Sequence, residues 1–189
     1  YPAGHKIHYY LEARATNAAR AARFAPARAE WKTYSYRVGL ATAPATPVVI
    51  NEFMADNVAT LADPQGEFDD WIELRNLTDT EVDLTGRYLS DDPTHPRKWP
   101  FPAGTKIPAD GYLMVWADED GKATPGLHAN FKLSRLGEEI LLTDTDANFN
   151  AVLDRLLFGP QETDRSFGRS AADADTWLIL FPTPGQPNE

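Results

Sequence analysis

Asp110-Gly-Tyr-Leu-Met-Val-Trp-Ala-Asp118 is the stretch on which the fold class turns. Between Gly111 and Asp118 it is apolar at odd and even positions alike. A strand of that kind must be covered on both faces, either as a central strand or with a loop lying over its outer side. Working outward, the chain reads as short β-type runs: Val48–Met54, Trp71–Asn76, Glu81–Leu84, Tyr88–Ser90, Lys98–Phe101, Tyr112–Ala117, Glu139–Thr143, Val152–Phe158, Ser166–Arg169 and Trp177–Phe181. Fifteen prolines and twelve glycines punctuate these runs, and no apolar i, i+3, i+4, i+7 pattern persists for three turns. Short strands at a spacing of roughly 8 to 12 residues predict an all-β fold, an antiparallel sandwich or barrel.

Composition sets the outer bounds. The 189 residues are 42% hydrophobic and 24% charged, a balance that supports a packed core. No run approaches the roughly 18 apolar residues of a membrane span, so no membrane insertion is expected. The absence of cysteine rules out disulfides, thiolate zinc sites and cysteine nucleophiles. The net charge of −10 is unevenly spread. Residues 1–40 carry seven basic and two acidic side chains, a net +5, whereas the remaining 149 residues carry 11 basic and 26 acidic ones, a net −15. A body at −15 repels a phosphate backbone, which argues against nucleic-acid binding.

The charge changes sign at Ala41-Thr-Ala-Pro-Ala-Thr-Pro47, a small, uncharged, Pro-rich segment read as a linker over 41–47. Before it, Lys6–Ala13 and Trp31–Val38 read as strands, and the Ala/Arg-rich Ala18–Arg28, interrupted by Pro26, reads as loop. Two strands alone are marginal in water, so residues 1–40 are expected to be the truncated end of a preceding β-domain. Residues 48–189 are expected to form a complete sandwich.

Several ordered motifs then point to a family. Val49-Ile-Asn-Glu-Phe-Met54, Asp70-Trp-Ile-Glu-Leu-Arg-Asn76 and Val82-Asp-Leu-Thr-Gly-Arg-Tyr-Leu-Ser-Asp91 follow one another. Phe101–Leu113, Asn130–Ile140, Ser166-Phe-Gly-Arg169 and Pro182-Thr-Pro-Gly185 continue the series. Residues 47–188 thereby resemble the lamin-tail domain, and in particular its bacterial branch, found as modules of large secreted or surface proteins. The resemblance implies an immunoglobulin-like antiparallel β-sandwich without catalytic residues or cofactor. It also implies an extracellular or cell-surface location and a docking role toward a protein or glycan. Tyr9–Ala13 and Tyr34–Val38 are similar to the last strands of a fibronectin-type or immunoglobulin-like neighbour.

The motifs also have direct physical readings. In Trp71–Asn76, Ile72 and Leu74 share one face while Trp71, Glu73 and Arg75 share the other, where the Trp is expected to cover the strand and the charges to stay in water. Gly86 and Gly104 sit where a left-handed turn residue is expected, and Pro108–Gly111 reads as a turn leading into the Tyr112 strand.

Candidate chemistry is sparse. The acid pairs Asp69-Asp70, Asp91-Asp92, Glu138-Glu139 and Asp118-Glu-Asp120 read as solvated surface. Asp144, Asp146, Asn148 and Asn150 follow the 1, 3, 5, 7 spacing of a calcium loop, but Phe149 replaces the turn glycine and Arg155 the bidentate Glu. The competing reading is a polar hairpin loop. His95, His128 and a carboxylate could together hold zinc, although their spacing does not favour it. No Gly-x-Ser-x-Gly or phosphate-binding loop occurs, and Ser166–Ser170 reads as a turn. Trp99, Trp116 and Trp177 are the candidate interaction surface. The expectation is a non-enzymatic docking module. Alternatives are a calcium-stabilised spacer, or an accessory to a hydrolase or kinase elsewhere in a parent chain.

Overall fold

A computed structural model describes the backbone of residues 6–9, 11–14, 22–25 and 34–37 together with residues 47–121 and 124–188. The chain divides into two compact units, Tyr1–Leu40 and Ala41–Glu189.

In the first unit, β1 (Lys6–Tyr9), β2 (Leu11–Arg14), β3 (Ala22–Ala25) and β4 (Tyr34–Arg37) form two antiparallel ladders, β1 with β4 and β2 with β3. The run expected as one strand over Lys6–Ala13 is therefore two, with different partners. The expectation of loop throughout Ala18–Arg28 is also corrected, because Ala22–Ala25 is a strand. Its composition favours no sheet; the ladder offered by Leu11–Arg14 satisfies its backbone and decides the matter.

The second unit is a two-sheet sandwich, as the all-β reading requires. One sheet has the order β12 (His128–Ala129), β11 (Tyr112–Ala117), β6 (Asp70–Asn76), β5 (Val48–Met54), β15 (Ser166–Arg169), β16 (Trp177–Leu180). The other has the order β14 (Val152–Leu157), β13 (Glu139–Thr143), β8 (Tyr88–Ser90), β9 (Trp99–Pro100). A short ladder joins β7 (Val82–Asp83) to β10 (Lys106–Ile107). Pairing is antiparallel except between β11 and β12, which run parallel. Ser166–Arg169 is a strand between β5 and β16, as the β-type run there predicts, which rules out the competing turn over Ser166–Ser170.

Apolar alternation drives the two sheets together. Ile50 and Phe53 of β5, Ile72 and Leu74 of β6 and Val115 of β11 meet Leu89, Trp99, Ile140, Leu142 and Leu156 of the other sheet in one buried core. Phe53 packs its ring 4.4 Å from that of Phe158 and 5.9 Å from that of Phe167. Strand β5 serves both faces of its sheet because its register slips between Ile50 and Glu52, leaving Asn51 as the bulged residue. Beyond the bulge the parity is reversed, so Phe53 points into the core and Glu52 and Met54 point outward.

The bulge frees backbone groups of Ile50, and β14 of the opposite sheet and β15 of the same sheet supply partners for them. Asp154 Oδ2 on β14 accepts from Ile50 N at 2.8 Å and pairs with Arg169 Nη2 at 2.8 Å, while Arg169 Nε donates to Ile50 O at 3.1 Å. The outer face of the larger sheet is covered too. Met54, Trp71 and Trp116 form a second cluster, with Leu61 of the 55–69 loop packed against it. The doubly apolar Tyr112–Ala117 run is thereby explained, since Val115 faces the sandwich core while Met114 and Trp116 lie toward the loop.

Phe53 lies where the aromatic contacts of β5, β15 and β16 converge. Its replacement by Ala is expected to cost about 3–5 kcal/mol, read as a lowered urea midpoint with unchanged slope. A loss below about 1 kcal/mol would contradict this packing.

Candidate functional site

The tryptophans named from sequence do not form a surface. Trp99 is only 4% exposed, wedged between the sheets with its ring 5.0 Å from that of Phe101. Trp116 is 6% exposed under the 55–69 loop. Trp177 is half-buried, stacked 5.5 Å from Phe167 and overlain by Arg169 at 4.8 Å. Burial of a large apolar area is what these side chains contribute, which corrects the expectation of a shared binding platform.

Asp144, Asp146, Asn148 and Asn150 do come together, in a hairpin loop containing a 3-10 turn over Asp146–Asn148. The two carboxylates are engaged by protein donors. Asp144 accepts from Thr145 N, from Asn148 Nδ2 at 2.8 Å and from Arg87 Nε at 3.3 Å. Asp146 accepts from Asn150 Nδ2 at 2.7 Å and Tyr88 Oη at 3.1 Å, and pairs with Arg97 at 3.4 Å. These donors hold both carboxyls below their ordinary range: at Asp144 amide, amide side-chain and guanidinium contacts outweigh burial, and at Asp146 the Asn150 amide leads. A neighbouring cleft of about 720 Å³ is lined by Tyr88, Asp92, Thr94, His95, Pro96, Arg97 and Lys98. Its basic groups are paired as well, His95 with Asp92 at 2.7 Å and Lys98 with Asp91 at 2.7 Å.

The acids that matter most were not the adjacent pairs read from sequence. Glu52 and Glu73 face each other across β5 and β6 on the outer side of the sheet, 0% and 1% exposed. The expectation that the neighbours of Trp71 stay in water is corrected here. Burial is possible because donors come from the bulge and from the C-terminal segment Pro182–Asn188. Glu52 accepts from Thr183 N and Thr183 Oγ1, both at 3.0 Å. Glu73 accepts from Asn51 Nδ2 at 2.8 Å and from Gly185 N. Asn188, 2% exposed, closes the segment by donating at 2.9 Å to both Asn51 O and Arg169 O. Gly168 lets the segment lie this close: a Cβ there would sit 2.6 Å from Asn188 Nδ2 and 2.7 Å from Leu180 Cδ1.

A second buried polar group surrounds His128, which is 2% exposed. Its Nδ1 faces Asp118 Oδ2 in a very short contact and its Nε2 lies 3.1 Å from Pro125 O. Asp63, 7% exposed, completes a three-residue group whose ligand atoms lie within 4.8 Å of one another. The histidine pair imagined from sequence does not form, since His95 is engaged with Asp92 and His128 with Asp118. Asp63, 55 positions before Asp118, carried no signal that sequence spacing could reveal.

Apolar side chains are exposed at Leu136 (74%), Phe149 (86%), Leu157 (76%), Ile179 (58%) and Phe181 (74%). Ile179 belongs to β16, which ends the six-stranded sheet and has no strand partner on its far side among the described residues. Trp177-Leu-Ile-Leu180 is uncharged. The other terminal strands are blunted, β14 by Asp154 and Arg155, β9 by Pro100 and a length of two residues, β12 by the same short length.

Burial raises the Glu73 carboxyl from its ordinary 4.5 to about 7. Between those values the folded domain keeps a proton that the unfolded chain gives up, so stability falls as pH rises through the window, by about 3 kcal/mol for this group. Asp70, raised by burial to about 6, acts in the same direction. The melting temperature is expected to fall between pH 5 and pH 8, and Glu73→Gln should flatten that slope; an unchanged slope would remove Glu73 as its source. Gly168→Ala is expected to cost about 1–3 kcal/mol by displacing the C-terminal segment, measured by chemical denaturation.

A family model described as Lamin Tail Domain matches residues 41–156. A search of curated proteins finds no match to the chain.

Proposed function

This chain belongs to the lamin tail domain family, an immunoglobulin-like family, and from that premise we propose that it is a non-catalytic docking module that takes an extended segment of a partner protein along β16. The observation that carries this reading is the uncharged open edge of Trp177–Leu180 with Ile179 and the following Phe181 exposed. An unpaired edge presents N–H and C=O groups that an incoming strand can match, while the flanking apolar side chains set which strand fits. Arg165 stacks 3.6 Å over Phe181 and adds a cation at one end of the edge.

A non-catalytic role is supported by how the acids are used. Glu52 and Glu73 are occupied in holding the C-terminal segment, and Asp154 and Arg169 in bridging the sheets at the bulge. The net −15 of residues 41–189 favours a protein partner over a nucleic acid. The reading places the module on a secreted or cell-surface protein, following the bacterial resemblance of its motifs.

Screening the full chain against arrays of extended peptides and of glycans separates the possibilities. The expected result is peptide binding that Ile179→Lys weakens at least tenfold without lowering the melting temperature, and that Leu157→Lys leaves intact. Glycan binding alone, or peptide binding indifferent to Ile179→Lys, would overturn the β16 reading. Turnover abolished by a single carboxylate substitution would overturn the non-catalytic one.

A further inference from the structure

We propose that Asp63, Asp118 and His128 form a binding site for one divalent metal ion of zinc type, with the His128 Nδ1 and one oxygen from each aspartate as ligands. The three are brought together from the 55–69 loop, the end of β11 and the start of β12, and all are buried.

The direction in which His128 is held is the first argument. Its Nε2 lies 3.1 Å from Pro125 O, and a carbonyl can only accept. Nε2 therefore carries a hydrogen, which leaves Nδ1, facing Asp118, as the ring atom that can give up its proton and ligate. A proton bridges Nδ1 and the carboxylate in this contact, and a metal ion would take that proton's place once the two atoms move apart to about 3 Å to ligate it. Metal-ligating histidines commonly donate their other ring N–H to a backbone carbonyl in this way, which fixes the ring and its tautomer.

The aspartates carry the second argument. Asp118 Oδ1 accepts from Asp120 N at 3.0 Å, leaving Oδ2 to face the imidazole. Asp63 Oδ1 accepts from Gln65 N at 2.9 Å and Glu67 N at 2.8 Å, while its Oδ2 has no donor among the described residues. That second oxygen has no protein donor among the described residues to give up before it binds a cation.

The surrounding charge favours two positive charges over one. Glu67 and Asp69 lie within the same reach of Asp63, so four carboxylates crowd together. A proton on His128 leaves most of that charge uncompensated; a divalent ion neutralises more of it. One imidazole with carboxylates suits zinc better than calcium, which prefers oxygen ligands alone. Glu67 is exposed and Asp69 half-buried, so an ion has a path inward from that side. In balance, zinc(II) displaces the Nδ1 proton of the imidazolium, which passes to solvent, and no electron is transferred.

The test uses the full chain carrying His5→Ala and His8→Ala, so that the two N-terminal histidines cannot ligate. After chelation and dialysis, zinc chloride is titrated by calorimetry in two buffers of different ionisation heat. The expected result is one zinc per chain at micromolar affinity, release of about one proton, and a higher melting temperature. His128→Gln and Asp63→Asn should each weaken zinc at least tenfold. Nitrogen-15 spectra of the histidines give a readout that does not depend on variants folding: zinc should shift Nδ1 of His128 and leave Nε2 protonated. Zinc no tighter than millimolar would overturn the proposal and identify the triad as a buried imidazolium held by carboxylates. So would His128 remaining doubly protonated at saturating zinc, or calcium binding as tightly as zinc.

Discussion

Two carboxylates buried on the same strand pair determine how this sandwich is closed. Glu52 and Glu73 sit opposite each other on a face that an ordinary sandwich leaves to water, and like charges directly opposite destabilise a ladder. They are tolerable only because Thr183, Gly185 and Asn51 donate to them. The chain after β16 is thereby drawn back across β15, β5 and β6. Asn188 then ties it to Asn51 and Arg169, and Gly168 makes room for it. The tail thus acts as a lid whose anchor points on β5 and β6 lie more than 100 positions away in sequence.

The β5 bulge connects this outer arrangement to the core. Reversing the parity after Ile50 lets one seven-residue strand bury Ile50 and Phe53 inward and Glu52 and Met54 outward. The displaced Ile50 amide and carbonyl would be orphaned, and Asp154 and Arg169 satisfy them from β14 and β15. Burial raises the Asp154 carboxyl, the Arg169 charge opposing it, so the link holds a desolvated pair that also fixes the spacing between the sheets. With its inner face in the core and its outer face under a loop and a tail, the larger sheet has β16 as its longest uncharged open edge, which is where the docking reading places a partner.

Much of this was legible in the residues. Tyr88–Ser90, Tyr112–Ala117 and Glu139–Thr143 are strands with the boundaries that periodicity predicts, and Gly86 and Gly104 take the positive φ expected of them. The turn at Pro108–Gly111 also forms, closed by Gly111 N donating to Pro108 O, though Asp110 rather than glycine adopts the left-handed conformation. Lys106–Ile107 and His128–Ala129 were missed, since two-residue strands have no periodicity to read.

Sequence by itself determined the all-β class, the position of most strands along the chain and the kinship with the lamin tail domain, because alternation and turn chemistry are local properties of the chain. Tertiary structure alone decided which polar residues are buried. Glu73 within Asp70–Asn76 looks exposable when its strand is read singly, and Trp116, within a run that must be covered, gives no sign of what covers it. Whether water reaches them depends on the 55–69 loop and the 182–188 segment, which are remote in sequence. Burial of a charge is settled by donors arriving from elsewhere, and no local pattern encodes their arrival.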